Sequence, residues 1–245
     1  MAPRRQTQLD WTRVALLVAC LVAGTFLWDY PVVLPLKWVV VAMHETGHAL
    51  ATLVMGGSVE RVSLAANESG SCLSQMPDGV LRQVVVSSAG YVGSALAGAI
   101  LLLATFRLRL RRAVTWGMCL WLGLLGVLSA RDTFTLTFCL GAALVMALAA
   151  RFLPDAALDA LNLFLAAFSV LYVVRDLRDD LWNGDVRVHS DAGILAGITH
   201  VPSLVWAGLW TAASLAILFL FARAALRKTA PQYPAMPVTL PNGRL

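Results

Sequence analysis

The sequence predicts an all-α polytopic membrane protein of about six to seven transmembrane helices, with a short membrane-associated β-hairpin after the second. Three observations lead there. The 245 residues are 59% hydrophobic and only 13% charged, with a mean hydropathy of +0.74, whereas a soluble domain is about one-quarter charged. Apolar runs of about 18 to 23 residues, each able to cross a hydrocarbon core of roughly 30 Å, recur along most of the chain. A polar segment at 56–80 breaks that series with a period-two pattern.

By hydropathy and breakers the spans fall at 11–28, 32–55, 83–105, 113–130, 133–150, 156–174 and 202–223. The first follows basic residues, as a signal peptide would, but it is long and lacks an A-x-A cleavage site, so it reads as a retained span. The fourth and fifth are short and meet at Arg131-Asp132. In "GGSVERVSLAANESGSCLSQMPDGV", Val59, Arg61, Ser63 and Ala65 alternate with Glu60, Val62 and Leu64 before glycine turns, which predicts one or two short strands. A second polar segment, 175–202, carries five aspartates and two of the four histidines. Residues 1–223 form the membrane domain, and 224–245 a proline-rich tail expected to be disordered.

The net charge of +5 does not indicate nucleic acid, because the basic residues sit in "RLRLRR" at 107–112 and near the end, beside apolar spans. They give conflicting orientation. With seven spans and those clusters in the cytoplasm the N-terminus lies outside, although Arg4, Arg5 and Arg13 favour inside; a re-entrant stretch before Asp132 would change the count. Cys20, Cys72, Cys119 and Cys139 are scattered without C-x-x-C spacing, so neither a disulfide framework nor a cysteine zinc site follows.

The chemistry concentrates in "HETGH" at 44–48, inside "LPLKWVVVAMHETGHALATLVMGG". Three ionisable groups within one apolar run cost roughly 2.5 to 3.5 kcal/mol each at mid-bilayer, which calls for a shared partner. On a helix, His44 and His48 stand one turn apart on one face and can offer both imidazoles to one tetrahedral Zn2+. Glu45 then stands beside the open position, where it can act as general base in hydrolysis. A structural role, with these groups bonding between helices, is the competing reading.

"AMHETGHALATLVMGGSVERVSL", "VVVSSAGYVGSALAGAILLL" and "SDAGILAGITHVPSLVWAGLW" together resemble the site-2 protease family of intramembrane zinc metallopeptidases, in particular its compact bacterial and plant branch. The resemblance covers roughly residues 40–210. It implies a membrane-embedded zinc site, cleavage of peptide bonds in or beside transmembrane segments of membrane-protein substrates, and a strand-like segment that helps hold unwound substrate. A bacterial inner membrane is the expected location.

Zinc wants a third protein ligand. The H-E-x-x-H-x-x-G-x-x-H extension fails at Ala51 and Val54, and the remaining glutamates, Glu60 and Glu68, lie in the polar segment. An aspartate is expected, as the resemblance also implies. Asp191 leads, in a Ser-Asp-Ala setting at the start of a short apolar helix, with N-capping as its structural reading. Asp132 is the alternative, ending the second apolar run after the motif, where the family's classical members carry their ligand. Asp78 in "PDG" reads as a turn, and Asp176 among "RDLRDD" as a solvated charge. His189 and His200 could ligate or orient a ligand. Small residues in "SSAGYVGSALAGA" favour close helix packing, and Ser88 lacks a nearby base to act as nucleophile. No Asn-Pro-Asp-Gly stretch stands in a membrane helix, a departure from the classical pattern.

The reading is thus a zinc metalloprotease with ligands His44, His48 and Asp191 or Asp132, base Glu45, and a peptide substrate in the lipid bilayer. Its rivals are a non-catalytic metal- or partner-binding protein of the same fold and a cation transporter. The lack of an internal repeat weighs against the transporter.

Overall fold

The computed structural model describes residues 7–182 and 190–229. A short strand β1 (Thr7–Leu9) leads into α1 (Trp11–Leu27), whose N-terminus is capped by the Asp10 carboxylate. A 3-10 turn at Pro31–Val33 starts α2 (Leu34–Val54), with proline again in its first turn, where the missing N–H costs nothing. Gly56, at φ +83, turns the chain into β2 (Ser58–Leu64), which pairs antiparallel with β3 (Gly70–Gln75). Then come α3 (Val80–Leu102), ending in a π turn at Leu103–Arg107, α4 (Arg111–Ser129), α5 (Thr133–Phe152) and α6 (Asp155–Trp182). The short α7 (Asp191–Thr199) precedes α8 (Ser203–Ala225) and strand β4 (Arg227–Thr229).

Every expected span is a helix, and the expected hairpin is present. Five helices, α3, α4, α5, α6 and α8, are long and apolar enough to cross a membrane, and α1 is apolar over 17 residues. The chain is an integral membrane protein. Leucines such as Leu120, Leu144 and Leu220 stand exposed on the outer helices, as a lipid-facing surface requires. Inside, Leu102, Leu122 and Leu163 join Leu17 and Met43 in one core, and Trp28, Phe168 and Tyr172 anchor a second around the start of α2.

Five long apolar helices and the shorter α1 agree with the expected count of about six to seven. Helix α1 runs parallel to α6, since Gly24 meets Phe168 and Leu171 and Arg175 donates to the Thr25 carbonyl. Helix α6 runs antiparallel to α3, because Gly98 packs on Ala166 and Tyr91 reaches Asp176. So α1 and α3 run in opposite directions, and α2 passes α3 with His44 beside Gly90 and His48 beside Val86. The polar load of α2, with Lys37, His44, Glu45 and His48 all buried, fits a helix embedded among others rather than one facing lipid.

At the opposite end the termini meet. Strand β1 pairs with β4, the Arg13 guanidinium lies over the Phe106 ring at 4.9 Å, and Arg111 and Arg112 bond Asp155. Arg13, the arginines at 107–112 and Arg227 and Lys228 therefore share one end of the bundle. The last described residues of the tail belong to α8 and β4, and 230–245 lie outside the described residues.

Candidate metal and hydrolytic site

Helix α2 carries the motif between the hairpin and α3. Its approach to α3 depends on two glycines. A Cβ on Gly47 would run into the backbone of Ala89, and one on Gly90 would stand 2.5 Å from His48 Nε2 and against His44 Nε2. The small residues of "SSAGYVG" thus do pack helices closely, and Gly90 also leaves the two imidazoles their space. Ser88 accepts a hydrogen bond from Trp210 Nε1 at 3.0 Å, a packing contact.

His44 and His48 turn their Nε2 atoms toward each other, 2.8 Å apart. Asp191 Oδ2 completes a triangle, 3.2 Å from His44 Nε2 and 3.1 Å from His48 Nε2. Donor atoms bonded to zinc at roughly 2.0 Å in a tetrahedron lie about 3.3 Å from one another, so the triangle is close to the base of such a site. The chemistry fits as well. His48 Nδ1 donates to the Val86 carbonyl at 2.7 Å, which fixes the tautomer and leaves the Nε2 lone pair facing the triangle. With two ring nitrogens and a carboxylate oxygen so close, a proton or a cation must stand among them. His44 Nδ1 is buried without a hydrogen-bond partner. Among the described residues, these three form the one group able to hold a metal ion.

Asp191 reaches the triangle because Ser190 caps α7, its hydroxyl accepting from the Gly193 amide at 3.2 Å. The two sequence readings of "SDAG" therefore divide between neighbours: the serine caps and the aspartate points at the histidines.

Glu45 is buried, lies against Gly70 of β3 so closely that a Cβ there would stand 2.5 Å from its Oε1, and faces a cavity of about 820 Å³ shared with the triangle. The hairpin walls one side of that cavity. Lys37, buried under the Trp28 ring, holds Glu68 in the hairpin turn at 2.6 Å. Trp38 Nε1 donates to the Ala65 carbonyl and the Leu64 amide to Thr135 Oγ1. Cys72, on the cavity wall, has its thiol pushed up to about 12 by burial and then by the Glu45 charge, which keeps it protonated.

Asp132, the alternative ligand, is placed elsewhere. It is the N-cap of α5, accepting from the Thr135 amide and hydroxyl at 2.8 Å each. Burial raises its pKa, but those bonds, one from Ser63 and the charge of Arg61 outweigh it and hold the carboxyl below its usual range. Asp78 stands in the turn before α3, as expected, its carbonyl accepting from Arg82. His200 is the exposed, left-handed C-cap of α7, and Glu60 pairs with Gln75 across the hairpin. His189 lies outside the described residues.

Asp176 is the correction. Rather than a solvated charge, it is half-buried on the cavity wall, accepting from the Tyr91 hydroxyl at 3.0 Å and from Tyr172. The signal was present: Tyr172 and Asp176 are four apart, on one face of α6.

The model of the Peptidase M50B-like family matches residues 17–221. No curated protein and no solved structure matches the chain.

Proposed function

We propose, from the premise that the chain belongs to the Peptidase M50B-like family, which is the site-2 protease family, that it is a zinc-dependent intramembrane protease of membrane-protein segments. The observation that carries the reading is the triangle of His44, His48 and Asp191, with Glu45 facing the same cavity. Zinc held there would supply Lewis acidity toward a water and a peptide carbonyl.

Glu45 takes a proton from the attacking water as its oxygen bonds the carbonyl carbon. The same carboxyl returns that proton to the nitrogen as the C–N bond breaks, so acid and amine leave in balance. His48, anchored on Val86, keeps its Nε2 toward the site through both steps. The polar cavity under the hairpin is the route for water.

The arginine end belongs in the cytoplasm by the positive-inside rule, which points the cavity to the other side of what we take to be a bacterial inner membrane. The test is hydrolysis of a fluorogenic transmembrane peptide by the zinc-loaded protein in detergent. Cleavage that disappears in Glu45→Gln, with zinc retained, supports the reading. A well-folded, zinc-loaded protein that cuts no peptide of a broad transmembrane set would leave the metal-binding, non-catalytic alternative.

A further inference from the structure

The cavity carries four carboxylates and, among the described residues, no lysine or arginine in its wall. Three of the four already have an assignment. Glu68 is neutralised by Lys37 at 2.6 Å, Asp191 faces the two histidines, and Glu45 stands ready to take a proton. Asp176 is left over. Its Oδ2 accepts from Tyr91, whose ring is locked by stacking on Trp210 at 5.1 Å and by an edge contact with His44 at 4.5 Å. Tyr172 bonds it from the same helix face. Two hydroxyl donors fix a carboxylate in position but bring no charge of their own, and the cationic face nearest it is that of His44. Asp176 also lies outside the metal-binding group. A carboxylate held in a half-open cavity of this kind attracts a cation from the guest, and its partial removal from water strengthens that attraction.

We propose that Asp176 is a specificity-determining residue that binds an ammonium or guanidinium of the substrate, so that the enzyme selects peptides with a basic group near the scissile bond. The inference rests on the peptidase reading for its substrate class, but its test does not need turnover. The cation has two sources, a lysine or arginine side chain or a free N-terminal amine.

Binding is measured on the zinc-loaded Glu45→Gln protein in detergent, by fluorescence anisotropy. The probes are labelled apolar peptides in which lysine, arginine or norleucine is scanned through successive positions, each with a free or an acetylated N-terminus. A charged hydrogen bond predicts that the cationic peptide binds about ten- to a hundredfold tighter than its norleucine counterpart in one register. That ratio should fall to about one in Asp176→Asn and return in Asp176→Glu. A preference that survives acetylation identifies the side chain as the source, and one abolished by acetylation identifies the terminal amine.

Equal binding of all peptides, or a preference that persists in Asp176→Asn, would overturn the proposal. So would loss of zinc from Asp176→Asn, since the residue would then act on the metal site. The outcomes separate the two readings. Selective binding without cleavage by the wild-type protein sinks the peptidase and leaves the cation site, whereas cleavage without selectivity does the reverse. Failure of every peptide to bind counts against both.

Discussion

The two ends of the bundle treat charge in opposite ways. At the arginine end cations meet local partners: Arg111 lies 2.8 Å from both Asp155 and Asp159, and Arg112 reaches Asp155 and the carbonyls of Ala150 and Leu153. Those contacts satisfy the last carbonyls of α5 and tie α4 to α6. At the other end His44, His48 and Asp191 converge with no lysine or arginine in the described cavity wall. Charge that is paired where it stands maintains a fold. Donors gathered without a lysine or arginine beside them leave room for a proton or a cation at their centre.

The contrast can be broken from either side. The largest effect is expected from Glu45→Gln, which should lower peptide turnover by about 10²- to 10⁴-fold while zinc per chain stays at the wild-type value; a loss of both together would make Glu45 structural. Next comes Gly90→Ala, whose methyl would occupy the space of the two imidazoles. Zinc affinity should drop at least about tenfold, read by competition with a chromophoric chelator, and unchanged affinity would mean the triangle is not the metal site. At the arginine end, Arg111→Ala should cost about 1 kcal/mol in thermal stability, because these pairs are partly solvated. It should leave zinc content and turnover alone.

The smallest effect concerns Asp132. Its carboxyl is held below its usual range, so the cap stabilises fully above the unfolded pKa of about 4 and is lost as pH falls through the lower folded value. Asp132→Ala should therefore lower stability by about 1 kcal/mol at neutral pH, and the gap to wild type should close in strong acid. A gap independent of pH would show that the carboxylate's charge is not what caps α5.

Much of this was legible before any coordinates. Seven apolar runs gave seven helices because each run is long and bounded by prolines, glycines or charges. The alternation after the motif gave the hairpin, with Val62 and Leu64 turned inward. What hydropathy could not convey is direction. The run containing HETGH is as long as a crossing helix, and only contacts such as His44 with Gly90 and His48 with Val86 give its direction against α3. The pairing of Thr7–Leu9 with Arg227–Thr229 was invisible for a different reason: three-residue strands so far apart in sequence carry no pattern of their own.

The site divides the same way. His44, Glu45 and His48 declare themselves by spacing on one helix. Asp191 was favoured on its setting with Asp132 as the alternative; the structure brings the first to the two histidines and makes the second the cap of α5. Asp176 was misjudged because "RDLRDD" has the composition of a solvated segment, while α6 continues through it to Trp182 and turns one acid inward. Composition averages over a helix, and burial belongs to one face of it.

The most direct test of the account is zinc per chain, by elemental mass spectrometry, on the purified protein and on His44→Ala, Asp191→Asn and Asp132→Asn. The account predicts close to one zinc in the wild type and in Asp132→Asn, and almost none in the other two. A folded wild type that takes up no zinc, or an Asp191→Asn variant that keeps it, would contradict the site described.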